Sequence, residues 1–155
     1  MAIKLRAVRN EDFAALHALD QACFAPGIAW SKAELLYFLK YPGNVAILAE
    51  DAGVPVGFAI AGTQRRQGKL LGRLITIDVD AARRRRGVGE ALLKAAEERL
   101  REAGATTVLL EVAVDNSAAQ AFYERHGFTR TGRIPGYYLG RIDALVMEKE
   151  AGEAL

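Results

Sequence analysis

The stretch 79–93, VDAARRRRGVGEALL, constrains this chain more than any other. A strand-like run ends at Val79, Gly87 and Gly89 follow, and a helix opens at once. Successive backbone N–H groups at such a junction point outward and, with the helix dipole, form an anion site. Glycine suits the place because a side chain would block the close approach of a pyrophosphate. Arg84, Arg85 and Arg86 add positive charge for further phosphates. A dinucleotide-binding turn would want a third glycine and an acidic residue about 20 positions on, and a P-loop would need Gly-Lys-Ser/Thr. Neither is present. The arginine run read alone is a solvated turn, a localisation signal or a nucleic-acid patch. The strand–glycine–helix setting weighs against those readings.

The flanking sequence supplies the elements such a junction needs. Ile3 to Val8 alternates like a short strand, and Asn10 is placed to cap a helix carrying Phe13, Leu16, Leu19 and Cys23. Ser31 and Glu34 make a capping box for a second helix, with Trp30 and Leu35 as its hydrophobic staple. Val45 to Glu50 and Val56 to Ala61 flank the turn Asp51-Ala52-Gly53. The polar stretch Gln64 to Gly68 leads to a strand at about Leu70 to Val79. A helix is expected over Glu90 to Ala103, a strand over Thr106 to Val114, and a helix over Ser117 to Arg125 with Ala121 and Phe122 inward. Gly127-Phe128 reads as a helix cap, and Phe128 to Arg133 and Ala144 to Lys149 as the last strands. The order predicts a mixed α/β (α+β) fold in one domain, residues 1–150, with a short tail at 151–155.

Composition narrows the setting. The 155 residues are 51% hydrophobic and 26% charged with a net charge of +2, ordinary for a globular domain. No apolar run approaches a membrane span and no signal-peptide stretch opens the chain. With Cys23 alone, no internal disulfide can form. His17 and His126 make no metal spacing. A cytoplasmic protein without a metal, a membrane or a nucleic-acid partner is expected; monomer and dimer both stay open.

Arg84-Arg85-Arg86-Gly87-Val88-Gly89 resembles the Arg/Gln-x-x-Gly-x-Gly/Ala signature of the GNAT superfamily of N-acetyltransferases, and the element order is similar to that fold over nearly the whole chain. The resemblance implies a mostly antiparallel central sheet flanked by helices, with acetyl-CoA as co-substrate. It implies that Arg85 to Glu90 hold the pyrophosphate and that the strand end Ile77-Asp78-Val79 pairs with the pantetheine arm.

A second block, Leu110-Glu111-Val112, Asn116 to Ala119 and Phe122 to Phe128, resembles the bacterial ribosomal-protein alanine N-acetyltransferases. By that resemblance Glu111 is the proton acceptor, Asn116 a cofactor contact and Tyr123 the proton donor. The chemistry suits these types. An amine must be neutral to attack a thioester, the intermediate must shed a proton, and the leaving thiolate must gain one. Plainer readings stand beside each role. Glu111 could be an edge residue or the partner of an arginine on the next strand, Tyr123 a core aromatic, Asn116 a helix cap. Asp78 is a rival base, and Cys23 reads as core.

The acceptor is expected to be a protein or peptide N-terminus, with a ribosomal protein among the candidates. At a pH of about 7.5 an α-amine, of pKa about 7.8, is roughly one-third neutral, whereas a lysine, of pKa about 10.4, is neutral about one part in a thousand. One strand carboxylate suits the former. Trp30-Ser31 and the pair Tyr137-Tyr138 resemble peptide-facing segments of the same group, so Trp30, Tyr137 and Tyr138 are candidate acceptor contacts; exposed turn aromatics are the alternative for the tyrosines. Acetylation of lysine or a small amine, a non-catalytic acetyl-CoA-binding module, and nucleic-acid binding by Arg83 to Arg86 remain the other readings.

Overall fold

The computed structural model describes residues 2–152. The chain runs β1 (Ile3–Ala7), α1 (Phe13–Cys23), α2 (Lys32–Lys40), β2 (Val45–Asp51), β3 (Val54–Arg66), β4 (Lys69–Val79), α3 (Val88–Glu102), β5 (Thr107–Ala113), α4 (Ser117–Arg125), β6 (Thr129–Tyr138) and β7 (Ile142–Glu150). This is the expected order. The strands form one sheet, β1-β2-β3-β4-β5-β7-β6. Every pairing is antiparallel except β4 with β5. The fold is α+β, as the GNAT resemblance implied.

The side-chain period of two sorts the helices onto faces. On β2, Ile47 and Ala49 pack with Val88 and Leu92 of α3. The intervening Leu48 packs with Leu16 of α1 and Leu35 of α2. Thus α3 covers one face and α1 with α2 the other. Ala119, Phe122 and Tyr123 of α4 lie against the cluster that includes Leu93 and Ala96 of α3.

Several local expectations change. Asn10 does not cap α1: its side chain accepts from Lys40 Nζ at 3.0 Å. Instead Asp12 takes the backbone N–H of Arg9 at 2.6 Å and both Nη groups of Arg6. Gln64 to Arg66 are not a loop, because β3 pairs with β4 up to Arg66 and Lys69 and turns through Gln67-Gly68. On α4 Ala121 is exposed and Gln120 is buried at 6%, its Nε2 donating to the carbonyls of Ala113 and Val114 at 3.0 Å each. A buried amide satisfied by two strand-end carbonyls outweighs its polarity. Of the expected tail, residues 153–155 lie outside the described residues. Ala151 is packed at 6% exposure, with its N–H on the Thr106 carbonyl at 3.0 Å.

The sheet is open at its centre. The β4–β5 ladder holds only Leu71 to Arg73 against Thr107 to Leu109. Beyond it, β4 carries a bulge: Ala61 pairs with Leu74 and Ile60 with Thr76, leaving Ile75 extra. A bulge bends the strand that carries it. From there β4 and β5 separate, and the edge of Leu74 to Val79 that faces β5 has no ladder partner among the described residues.

Candidate active site

The loop after β4 delivers the expected junction. Gly87 caps α3 at φ +85°, and a Cβ there would meet nothing within 4 Å. Its glycine therefore answers to conformation and not to crowding. Gly89 is different. A Cβ on it would sit 3.4 Å from Phe122 and 3.7 Å from Val79, an ordinary contact, so there is room for a methyl but a larger side chain would press on α4. The helix begins at Val88, two residues before the expected Glu90. The first N–H groups of a helix have no partner within it, which leaves them for an anion. Arg85, at φ +64°, and Arg86 are exposed. Arg84 folds back instead: its Nε donates to the Val79 carbonyl at 3.3 Å and its Nη2 lies 3.6 Å from Cys23 Sγ. Glu90 pairs with Lys94 on the surface at 3.0 Å.

Ile77 and Val79 pack on the α3 side, so the alternating Thr76 and Asp78 face α1. Asp78 is sealed at 0% exposure, with Oδ1 2.5 Å from Thr76 Oγ1. Burial first, then the neighbouring Asp20, push its carboxyl well above the usual range.

Glu111 lies on that same face. Leu110 and Val112 belong to the core under α3, so Glu111 points the other way, beside the Arg73 side chain. Arg73 Nε is 3.3 Å from Glu111 Oε2, and its Nη2 donates to the Tyr137 hydroxyl at 3.2 Å. The alternative noted for a strand glutamate, an arginine partner, is thus realised. Tyr137 and Tyr138 stack edge-on at 4.8 Å, at the end of β6. Burial first, then Tyr137 and Glu111, raise the Tyr138 phenol above its ordinary value. Trp30 turns inward: its ring stacks on Phe38 at 4.5 Å, and its backbone N–H donates to Asp20 Oδ2 at 2.7 Å.

From the opposite face comes α4. Asn116 caps it, its Oδ1 accepting the Ala119 N–H at 3.2 Å. The far end closes with Gly127 at φ +92°. Its N–H bonds the Glu124 carbonyl and the Phe128 N–H bonds the Tyr123 carbonyl, at 3.1 and 3.0 Å. Between these ends the Tyr123 ring lies edge-on to Phe122 and Phe128, at 5.3 and 5.6 Å. Burial first, then Asp78 and Tyr138, raise its phenol above the ordinary range, so it keeps its proton at neutral pH.

Arg73 and Asp20 carry contacts at this site that the sequence did not single out. A signal existed for Asp20. It falls at helical spacing between Leu16 and Cys23, on the inward face. Arg73 interrupts an apolar strand, but its partner is visible only in the register. Tyr37 and Tyr41, with Arg73, Gly62 and Ile75, line a cavity of about 190 Å³. A larger cavity of about 590 Å³ lies near Arg9, Lys40 and Arg99 and contains none of the expected site residues.

Residues 13–128 match the family described as Acetyltransferase (GNAT) family. The chain belongs to that family. It is an acetyl-CoA-dependent acyltransferase. Among its relatives it is 32% identical to the N-alpha-acetyltransferase RimI of Mycobacterium tuberculosis, over 97% of this chain and 94% of that protein. Its GNAT fold superposes on a chain of the NatC complex solved with Gag peptide and CoA, with TM-score 0.85, 25% identity and coverage of 97% of this chain and 99% of that one. It is similar also to the ribosomal-protein-S18-alanine N-acetyltransferase of Escherichia coli, with TM-score 0.81, 27% identity and coverage of 99% and 97%. No helix among the described residues is long and apolar enough to cross a membrane.

Proposed function

We propose that this GNAT enzyme transfers the acetyl group of acetyl-CoA to the N-terminal α-amine of a protein, in the cytoplasm, with a ribosomal protein among its candidate acceptors. The near-full-length likeness to an N-alpha-acetyltransferase carries the reading. The site geometry agrees with it. The domain proposed is 1–150.

The residues present fit the co-substrate. The free N–H groups at the start of α3 and the guanidinium groups of Arg85 and Arg86 suit a pyrophosphate, and Gly87 holds the loop in shape. Val88 anchors that loop in the core at 1% exposure. The edge at Ile77, Asp78 and Val79 has no ladder partner, and apart from the Val79 carbonyl, which Arg84 holds, it offers backbone groups to an amide-bearing arm. Asn116, which caps α4, is the further cofactor contact that the family resemblance suggests.

The neutral amine attacks the thioester carbonyl, and Glu111 takes the proton that the acceptor nitrogen then sheds, directly or through water. Its side chain keeps 16% exposure while Asp78 keeps none, which favours Glu111 as the acceptor. As the amine nitrogen bonds to the acetyl carbon and the C–S bond breaks, Tyr123 supplies a proton or a hydrogen bond to the departing sulfur. The raised phenol keeps its hydrogen, which suits a hydrogen bond to the sulfur better than full proton transfer. Tyr137 and Tyr138 flank the approach, and Trp30 shapes it from the α1–α2 loop.

Free-thiol release from acetyl-CoA with two peptides tests this. One bears a free N-terminal alanine and no lysine; the other has a blocked N-terminus and one lysine. Turnover on the first alone is expected. Turnover only on the second would replace the α-amine by lysine, and silence on both would leave a small amine or a non-catalytic module.

A further inference from the structure

Asp20 and Asp78 form a buried acidic pair that this chemistry leaves unused. Asp20 is 1% exposed on α1 and Asp78 is 0% exposed on β4. Carboxyl groups are almost never so buried unless something neutralises them. Three of their four oxygens can be placed. Asp78 Oδ1 meets Thr76 Oγ1 at 2.5 Å, and Asp20 Oδ2 accepts the Trp30 N–H at 2.7 Å. Asp78 Oδ2 is buried and has no donor among the described residues. One turn along α1, Cys23 Sγ meets the Val79 carbonyl of β4 at 3.5 Å, and across the same α1–β4 contact the carboxyl that faces Asp78 is Asp20. Arg84, the cation facing the pair, is turned to the Val79 carbonyl and Cys23 Sγ. Two ionised carboxylates cannot share so dry a place, but one proton between them makes the orphaned oxygen a donor.

We propose that Asp20 and Asp78 share a single proton, and that the resulting acid–carboxylate hydrogen bond latches the α1–α2 loop, through the Trp30 backbone, to the unpaired half of β4. Both are positioning residues. The latch sets where α2 starts, because the next residue, Ser31, is its cap, and because the Trp30 ring rests on Phe38. The inference rests on the reading above in one respect, that this loop borders the acceptor.

Losing the shared proton at alkaline pH opens the latch. The other groups facing the pair are Thr76 of β4, Cys23 of α1, Arg84 of the phosphate loop and Tyr123 of α4. Of these, Cys23 and Tyr123 also titrate upward of neutrality, each raised by burial first. A Cys23→Ala control separates the thiol from the pair.

Trp30 is the only tryptophan of the chain, so its fluorescence in the full-length protein reports the latch without any turnover. On titration from acid to alkaline pH, the wild type and Cys23→Ala are expected to show a one-proton step. Asp20→Asn and Asp78→Asn, whose amide donates to the surviving carboxylate at every pH, are expected to abolish it. Infrared absorption of the wild type should lose a protonated-carboxyl band over the same step. The KM of the N-terminal-alanine peptide should rise about threefold to tenfold across it, the worth of roughly one hydrogen bond, and stay flat in Asp20→Asn.

A wild type with neither the fluorescence step nor the infrared band would overturn the shared proton. So would a step that persists unchanged in both Asn variants. A step with no change in KM would overturn the positioning role. Were no peptide acetylated while the step and its loss in the variants were seen, the latch would stand and the α-amine reading would fall.

Discussion

Arg73 Nε lies 3.3 Å from Glu111 Oε2, and the same guanidinium reaches the Tyr137 hydroxyl at 3.2 Å. One arginine on β4 thereby joins the carboxylate of β5 to the aromatic pair at the end of β6. The carboxylate is held in place before any acceptor arrives. Glu111→Gln keeps the shape and removes the base, so turnover should fall about 10²- to 10³-fold while acetyl-CoA affinity stays the same. Steady-state kinetics with calorimetric binding checks this, and unchanged turnover would hand the proton to water or Asp78.

Arg73→Gln frees both Glu111 and Tyr137. The acceptor KM should rise and acetyl-CoA affinity should hold. Because the two residues are in contact, the double variant Arg73→Gln/Glu111→Gln should lose less than the sum of the single losses. Strict additivity in kcat/KM would show that the ion pair plays no part in the reaction.

Tyr123→Phe keeps the ring between Phe122 and Phe128 and removes only the hydroxyl. Turnover should drop roughly a hundredfold with little change in Tm, the lower end of the usual worth of a positioned proton donor. Full activity would leave Tyr123 a packing residue.

The two glycines of the loop should part company. Gly87→Ala strains a left-handed backbone at about 1–2 kcal/mol, so acetyl-CoA binding should weaken by roughly fivefold to thirtyfold. Gly89→Ala meets Phe122 at an ordinary 3.4 Å and should be nearly silent. Gly89→Leu would push Phe122 away and cost both affinity and Tm. Equal effects of the two alanine variants, by titration with acetyl-CoA, would refute the division.

Asp12 tests the frame and not the site. The Arg6 hydrogen bond, more than the Arg9 N–H, lowers its carboxyl to about 2, against burial. A lowered folded value means stability present above the unfolded pKa of about 3.9 and lost as pH falls towards 2. Asp12→Asn should cost about 1–2 kcal/mol at neutral pH and almost nothing near pH 2, as urea unfolding would show. An equal loss at both pH values would mean that shape, not charge, matters there.

What the sequence determined by itself is local. The Ser31–Glu34 box forms with bonds of 3.0 and 3.1 Å, because its partners are three residues apart. The same holds for the cap at Gly127-Phe128 and the bounds of α4, and the strand–glycine–helix junction was legible because a positive φ at Gly87 is a property of one residue. The order of elements followed from hydrophobic period. Only the tertiary structure decided which residues meet across the sheet. Arg73 finds Glu111 because β4 and β5 pair in parallel for three residues and then part. The bulge at Ile75 lets that parting happen, and it carries no mark in an apolar run. Asp78 finds Asp20, and Gly89 receives Phe122, only when strand register and helix seating bring distant segments together. Those contacts form between residues tens of positions apart, and a shift of one residue in register would turn each side chain to the opposite face.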